Sequence, residues 1–313
     1  MKKRNYFYYW ANNSNNESGE GLLCKNFINL LKKRYPEYMF VNLNNFRFRE
    51  SFFYNYCIPF IGVFKLWYFN LRGFKISYIN YLPIWNFILF LFLPQNTVLG
   101  PITGTSTKKN IFYLIFKKIS FIILKNKWKR FLFSNDQFKK DLEGLNKKKF
   151  YNFLFYNFKT NIKKNKKIYD IIFYYRKNSN KGNSVYISLL NKLSKNYKIA
   201  VIGDTLNSNK NIKNFKWVKR KTAINIIAQS KFGILSKENI FSYFALDCLS
   251  NSVPVFYNSN LSISNRLKNK NFLIPLKYFN ESNALLVVKN KIEKKKITRQ
   301  IKFKKFNFDK YLI

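Results

Sequence analysis

Short apolar runs alternate with amphipathic segments in the second half of the chain, the pattern of a parallel sheet covered by helices. The run Ile171–Tyr175 has the composition and length of a buried strand, and Val185–Leu193 favours a helix. Further strands are predicted at Ile199–Ile202, Phe232–Leu235 and Val253–Phe256, with helices at Ala223–Gln229 and Phe241–Ser250. The pattern therefore predicts one α/β unit between residues 169 and 257.

Polar residues and a glycine follow the predicted strands of this unit. Arg176 ends the first strand, Gly203 stops the second, and Ser236 and Glu238 come after the third. The carboxyl ends of parallel strands meet at one edge of a sheet, where ligands of such folds bind. We therefore expect a ligand site at this edge.

The order of these elements resembles the C-terminal domain of GT-B glycosyltransferases, in particular the retaining bacterial lipopolysaccharide and capsule group (glycosyltransferase family 4-like). In that pattern an Arg ends the first strand and a Lys-Gly follows five residues later, as Arg176 and Lys181-Gly182 do here. An acidic helix residue stands seven before a Pro, as Asp247 does before Pro254. The resemblance implies that Arg176 and Lys181 stabilise the leaving phosphate, that Gly203 lies in the donor site and that Asp247 accepts hydrogen bonds from the nucleotide ribose.

The acidic pattern of that group differs here by one position. Two carboxylates eight residues apart are expected, but Asn239 stands eight before Asp247, and Glu238 stands nine before it. Either the loop holds one extra residue and Glu238 contacts the donor sugar, or Asn239 has taken that role. The Glu-Asn pair and the later Val-Pro-Val also resemble fucosyltransferases more weakly, with a span from Tyr243 to Pro254 about one helical turn shorter.

The first half of the chain predicts a second α/β domain. A strand at Tyr6–Trp10, a polar loop ending in Glu17–Gly21 and a helix at Leu22–Leu31 would place Gly19 in an anion-binding loop. An ordinary turn with a helix cap explains the same residues. Further elements are predicted as strands at Met39–Leu43, Lys75–Tyr81 and Thr97–Gly100 and a helix at Trp85–Leu93, with residues 46–71 unassigned.

A Gly100–Gly104 turn after these strands would bring the hydroxyl of Thr103 to the acceptor side of the site, or would serve as a rigid structural turn.

The Lys-rich run Lys159–Lys167 has no apolar period and is typical of a linker. We therefore predict an N-terminal acceptor-side Rossmann-like domain over residues 1–160 and a C-terminal nucleotide-sugar-binding one over residues 161–313. With the resemblance, the fold class is α/β, GT-B, with two Rossmann-like domains facing a cleft.

Composition restricts the chemistry. The chain has no His and only 14 acidic residues among 313, so a His base, a Ser-His triad and a His-ligated metal are excluded. Asp141-Leu142-Glu143 lies in a Lys-flanked helical segment and is interpreted as solvated charge. We expect no cofactor and no metal, with a nucleotide-diphosphate sugar as the donor substrate. The predicted activity is hexosyl transfer to a glycan or lipid-linked acceptor in cell-surface polysaccharide synthesis.

The net charge of +44 indicates an anionic partner, although the codons of an AT-rich genome also favour Lys. Ile111–Trp128 mixes bulky apolar residues with Lys117, Lys118, Lys125 and Lys127, which suits contact with anionic lipid or a core helix with a solvated basic face. Three unpaired Cys and no export signal favour the cytoplasm, with peripheral binding to the inner face of the cell membrane. Basic and aromatic residues also favour a nucleic-acid-binding protein as the alternative function.

Overall fold

The computed structural model describes residues 5–14, 19–46, 57–79, 82–103, 110–133, 150–152, 166–177, 184–206, 209–235, 242–260, 272–277 and 280–294. These residues form two compact units, one up to residue 152 and the other from residue 166. Several predicted features lie outside the described residues: Lys181-Gly182, Glu238, Asn239, the helical segment around Asp141-Leu142-Glu143 and most of the linker.

The first unit alternates parallel strands with helices. Its elements are β1 (Asn5–Trp10), α1 (Gly19–Arg34), β2 (Tyr38–Asn42), α2 (Ile58–Leu71), β3 (Lys75–Tyr78), β4 (Leu82–Pro83), α3 (Phe87–Phe92), β5 (Val98–Leu99), β6 (Ile102–Thr103), α4 (Ile111–Lys127), β7 (Phe131–Phe133) and β8 (Phe150–Asn152). They form two four-stranded sheets of order β2-β1-β3-β5 and β4-β6-β7-β8. Helix α1 packs over one core of buried residues with Phe7 and Leu23, while α2, α3 and α4 share a second core with Trp10 and Phe131.

The second unit has one six-stranded parallel sheet. Its elements are β9 (Tyr169–Tyr175), α5 (Ser184–Leu193), β10 (Ile199–Gly203), β11 (Ile212–Asn214), α6 (Arg220–Ala228), β12 (Ser230–Ile234), α7 (Tyr243–Ser250), β13 (Val255–Asn258), β14 (Leu273–Leu276) and α8 (Glu281–Glu293). The strand order is β11-β10-β9-β12-β13-β14. Numbered within the unit, this order is that of a Rossmann fold, which changes direction between β9 and β12.

The two faces of this sheet are covered by different helices. Alternate residues of β9 point to opposite faces, so Ile171 and Phe173 pack with α5 and α8, and Ile172 packs with α6 and α7. Both faces are therefore buried, which explains why the strand is a continuous apolar run. The strands and helices predicted between residues 169 and 257 are confirmed in the residues that the structure describes, and β11 is additional to them.

The predicted Gly100–Gly104 turn is wrong in the residues that the structure describes. Ile102 and Thr103 form β6, which pairs with Leu82-Pro83 of β4. Pro101 has no N–H, but its carbonyl accepts a hydrogen bond from Leu82 N at 3.0 Å, beside the pairing of β6 with β4. Thr103 is therefore the last residue of a strand.

Lys127 joins two helices of the first unit. Its Nζ donates hydrogen bonds to the carbonyl oxygens of Phe90, Leu91 and Leu93, at 3.2, 2.5 and 2.8 Å. These carbonyls belong to the carboxyl end of α3, where backbone acceptors have no partner within the helix. The ammonium group of α4 therefore caps α3.

Among the described residues, no helix is long and apolar enough to cross a membrane.

Replacing Lys127 should destabilise the first unit far more than replacing Lys125, an exposed lysine of the same helix. We expect Lys127→Met to lower the free energy of unfolding by about 1–3 kcal/mol, because three carbonyls lose a charged donor. Lys125→Met makes the same change in charge and should stay within about 0.5 kcal/mol. Urea unfolding followed by circular dichroism measures both, and equal effects would contradict the capping role.

Candidate functional site

The carboxyl end of β9 lies at the point where the strand order changes direction. Tyr175 pairs with Gly203 of β10 on one side, and Phe173 pairs with Ile234 of β12 on the other. Ligands of doubly wound sheets bind outside the carboxyl ends of the strands at this point. Arg176 follows β9 directly and is therefore placed at the predicted edge.

Gly203 brings the end of β10 against the backbone of β9. Its φ is +105°, a region that L side chains rarely adopt, and a Cβ there would lie 2.2 Å from the carbonyl oxygen of Tyr175. The next residue, Asp204, donates its backbone N–H to the same oxygen at 3.0 Å. A glycine is required because the two backbones leave no room for a side chain. Gly203 therefore shapes the edge at which Arg176 lies.

Asp204 connects three segments at this edge. Its carboxylate accepts hydrogen bonds from the backbone N–H of Lys177 at 2.6 Å and from the indole N–H of Trp217 at 2.9 Å. The Lys177 N–H, followed by the Trp217 indole, lowers the pKa of Asp204. The residue after Arg176 and the loop between β11 and α6 are thus fixed by one ionised carboxylate.

Arg176 lies among aromatic side chains. Its Nε donates a hydrogen bond to the hydroxyl oxygen of Tyr174 at 3.0 Å, and its guanidinium carbon lies 5.4 Å from the ring centroid of Trp217. The ring of Tyr174 in turn stacks on Phe244 of α7, with centroids 6.0 Å apart. Burial raises the pKa of Tyr174, so the phenol stays protonated. The arginine is therefore held by a hydrogen bond and a cation–π contact rather than projecting as an isolated surface charge.

Asp247 is a nearly buried carboxylate, 5% exposed, in the middle of α7. It accepts a hydrogen bond from Nη2 of Arg220 at 2.5 Å, and Arg220 also lies over the ring of Tyr243. Arg220 is the first residue of α6, three positions after Trp217, and Phe244 is three positions before Asp247. This ion pair, in which the carboxylate is buried and Arg220 is partly exposed, therefore adjoins the Arg176 cluster. Its burial distinguishes Asp247 from a solvated acid on the outer side of a helix.

The other predicted site residues lie elsewhere. Gly19 and Thr103 belong to the first unit, where Gly19 is the first residue of α1 and Thr103 the last of β6. Glu20 stands beside Gly19 in the first turn of α1, and burial raises its pKa. Gly19 is thus part of a helix start, and the residues directly before it lie outside the described chain. Lys181, Glu238 and Asn239 also lie outside it.

Sequence reasoning missed Trp217, Arg220 and the role of Asp204. Trp217 and Arg220 follow β11, a strand that the apolar pattern did not predict, so the loop that carries them had no assigned place. One signal in the sequence could have pointed to Arg220: arginine is rare in this chain, since only ten of the 58 basic residues are Arg. Within the described ranges, no cluster of three or more His, Cys, Asp or Glu could hold a metal ion.

Comparison with known proteins places the fold. No protein-family model matches the chain, and no curated protein matches it in sequence. A glycosyltransferase from Rickettsia africae matches with a TM-score of 0.54 at 13% identity, over 92% of this chain and 88% of that one. Sucrose-phosphate synthase from Thermosynechococcus elongatus matches at 0.59 and 11%, over 93% and 94%.

Two further structures of the same fold contain bound nucleotide sugars. HepE of Anabaena in complex with UDP-glucose matches with a TM-score of 0.54 at 10% identity, over 92% of this chain and 90% of that one. UDP-GlcNAc 2-epimerase of Methanocaldococcus jannaschii, in complex with UDP-GlcNAc and UDP, matches at 0.54 and 10%, over 97% and 96%. At these identities the likeness shows the fold alone. The predicted fold class, α/β with the GT-B fold, is confirmed.

Removing the Asp204 carboxylate should change how stability depends on pH. Because its pKa is lowered in the folded protein, it stabilises the fold above the ordinary carboxyl range, and this contribution is lost as the pH falls through and below that range. Asp204→Asn should therefore be less stable than the wild type at neutral pH, with a smaller difference at about pH 3. Urea unfolding at both pH values measures this difference.

Glu293→Gln is the matched control for this experiment. Glu293 lies in the same unit, and its carboxylate accepts one long hydrogen bond, 3.3 Å, from the hydroxyl of Tyr197. It should change the unfolding midpoint little at either pH. A constant difference between Asp204→Asn and the wild type across the pH range would contradict the predicted role of the charge.

Proposed function

We propose that the protein is a glycosyltransferase that moves a hexosyl group from a nucleotide-diphosphate sugar to a glycan or lipid-linked acceptor. The observation that carries this proposal is Arg176, which is held by Tyr174 and lies over Trp217 at the strand-order change of a Rossmann-like sheet. A fixed guanidinium there suits a diphosphate, whose oxygens accept paired, charge-assisted hydrogen bonds. Solved proteins of the same fold include a glycosyltransferase and a protein in complex with UDP-glucose, and also a UDP-GlcNAc 2-epimerase in complex with UDP-GlcNAc and UDP.

Transfer leaves a nucleoside diphosphate, so the site must stabilise the negative charge that develops on the leaving phosphate. In this proposal Arg176 and Lys181 supply that stabilisation, because their positive charges are in place before the reaction begins. No metal ion is needed for this step. The acceptor hydroxyl attacks from the face that the leaving group departs from, as the resemblance to the retaining family 4-like group implies. The bond from the sugar to the phosphate oxygen breaks, and this oxygen takes the proton of the hydroxyl, so no protein base is needed.

Asp247 and Arg220 extend the donor site. Asp247 would accept hydrogen bonds from the ribose of the nucleotide, and Arg220, bound to the same carboxylate, adds positive charge beside it. Glu238 or Asn239 would contact the donor sugar, and Gly203 would let the donor lie close to the backbone. Cell-surface polysaccharide synthesis is the biological role that the resemblance implies.

A panel of nucleotide sugars tests the proposed function. The protein is incubated with UDP-, GDP-, ADP- and CMP-linked sugars, and thermal shift and release of the nucleotide are measured. Stabilisation and turnover with one of the diphosphate donors support the proposal, turnover with the CMP-linked sugar alone contradicts it, and stabilisation without turnover indicates a scaffold that has lost activity. Binding of oligonucleotides alone would instead favour the nucleic-acid-binding function.

Arg176→Ala and Lys181→Ala should each nearly abolish transfer, because each removes one preorganised charge and raises the barrier by about 2–4 kcal/mol. Lys177→Ala is the matched control: this neighbouring side chain is exposed, and only the backbone N–H of Lys177 binds Asp204. Donor turnover is compared in variants whose circular dichroism matches the wild type. Normal turnover by the Arg176 and Lys181 variants would overturn the site.

Glu238→Gln and Asn239→Ala distinguish the two alignments of the acidic pattern. If the loop holds one extra residue, Glu238→Gln should lower kcat/KM by about 100-fold and Asn239→Ala should have little effect. If Asn239 has taken the role, Asn239→Ala should lower kcat/KM and Glu238→Gln should have little effect. Steady-state kinetics with the donor found in the panel give the answer, and no effect of either variant would show that the acidic pattern is a coincidence.

A further inference from the structure

Helices α2, α3 and α4 form one layer on the first unit. Their inner residues, among them Leu66, Phe90 and Leu124, share a single core. The indole N–H of Trp67 in α2 donates a hydrogen bond to the carbonyl of Phe92 in α3, at 2.6 Å. Lys127 of α4 caps α3, as described above. Helix α3 is therefore in contact with both α2 and α4, and the three helices share one core.

The outer side of α2 is apolar. Phe64, Trp67, Tyr68 and Leu71 follow the spacing of one helical face, and Phe64 and Leu71 are 74% and 78% exposed. A helix that covers a sheet normally has polar residues on this side. Here the inner side, with Ile58 and Leu66, is apolar as well, so α2 has apolar residues on both sides.

The outer sides of α3 and α4 continue this surface. Exposed residues of α3 are Ile88, Leu91 and Phe92, and those of α4 are Ile111, Phe112, Leu114, Ile115 and Ile122. Together with the four residues of α2, we define these as the apolar face. Along α4 the outer line runs Ile111, Ile115, Lys118, Ile122 and Lys125, so exposed lysines alternate with exposed isoleucines.

The charge of the surrounding chain has one sign. Residues 51–135 contain no Asp or Glu and eleven Lys or Arg, although the whole chain has 14 acidic residues. Lys118 and Lys125 lie within the outer line of α4, and the guanidinium carbon of Arg72 lies 4.0 Å from the ring centroid of Tyr68. A partner of this surface must therefore accept both exposed aliphatic groups and a high density of positive charge.

Exposed apolar side chains together with positive charge favour one kind of partner over the others that an apolar surface can bind. A second copy of the chain would bring the same basic segment against itself, and like charges repel. Nucleic acid would satisfy the charge, but it offers no apolar phase for Leu71, Leu91, Ile111 and Ile122. An anionic bilayer offers both an acyl layer for these side chains and phosphate groups for the cations.

We propose that the apolar face binds the surface of a bilayer that contains anionic phospholipid. Phe64, Leu71 and Ile122 insert among the upper acyl chains, and Trp67 and Tyr68 lie at the headgroup level, where amphipathic rings are favoured. Lys118, Lys125 and Arg72 contact the phosphates. The inference does not depend on the proposed transfer reaction.

The structure changes which lysines take part. The sequence grouped Lys117, Lys118, Lys125 and Lys127, but Lys127 caps α3, and Lys117 is half-buried with its Nζ 5.3 Å from the ring centroid of Phe121. Lys118 and Lys125 are exposed. Lipid binding should therefore depend on Lys118 and Lys125, while Lys127 affects stability.

Flotation with vesicles tests the apolar part of the face. The wild type should bind vesicles of phosphatidylcholine and phosphatidylglycerol and bind phosphatidylcholine alone weakly. The triple variant Phe64→Gln, Leu71→Gln, Ile122→Gln should lower the partition coefficient on the mixed vesicles by about tenfold or more. The matched control is Met39→Gln, Ile168→Gln, Leu286→Gln, which changes three exposed apolar residues outside the face and should bind normally.

A second pair of variants tests the charge. Arg72→Gln, Lys118→Gln, Lys125→Gln should lower the partition coefficient by about fivefold for each cation removed. Lys195→Gln, Lys210→Gln, Lys221→Gln removes the same net charge from exposed positions of the second unit and should change binding much less. High salt should weaken wild-type binding, because it screens the phosphates.

Three results would overturn the proposal: no binding of the wild type to mixed vesicles, equal binding to neutral and mixed vesicles, or equal losses in the face and control variants. If the apolar variants instead abolish dimers seen by analytical ultracentrifugation and leave vesicle binding unchanged, the face is a contact between copies and the proposal is wrong. Arg176→Ala should float with vesicles like the wild type. Vesicle binding and donor turnover therefore fail or succeed separately.

Discussion

Strand β9 pairs with β10 on one side and β12 on the other, and this central position determines where the polar groups of the second unit lie. The contact between Gly203 and the carbonyl of Tyr175 is the tightest point of the arrangement, since a Cβ would lie 2.2 Å from that oxygen. Because two backbones meet there, Asp204 reaches the N–H of Lys177 directly. The position of Arg176 thus depends on a register between strands, and a shift of one residue would turn its neighbours to the opposite face.

The few carboxylates of this basic chain are placed where segments must be joined. Asp170 of β9 binds Lys231 of β12 and the N–H of Lys198 before β10. Glu281 of α8 binds Lys192 and Ser188 of α5. Asp204 and Asp247 do the same at the site edge. All the carboxylates that the structure describes in this unit, including Glu293 through Tyr197, therefore join different segments, so an acidic residue here has a structural task even where it also has a chemical one.

The second unit could be predicted because strands buried on both faces are continuous apolar runs. The location of Arg176 at the carboxyl edge of the sheet could be predicted because it follows such a run. Strand β11 could not, since three residues, Ile-Lys-Asn, at the edge of a sheet carry no run and no alternation. Without β11 the loop that holds Trp217 and Arg220 had no place. The Gly100–Gly104 turn was wrong because Pro101 and the two glycines suggested a turn, whereas Ile102 and Thr103 pair with β4 as a strand of the second sheet.

Helix α2 could not be predicted from the sequence pattern, and the same property that concealed it bears on the proposed binding surface. A helical period is visible only when one side is polar, and α2 is apolar on both. Genome composition explains an abundance of Ile, Phe and Lys, but it does not explain their distribution. An even spread of the 14 acidic residues over 313 positions would place about four among residues 51–135, which contain none. The carboxylates are thus missing from the segment whose exposed side chains are aliphatic and aromatic, and the proposed binding to an anionic bilayer would make that distribution favourable.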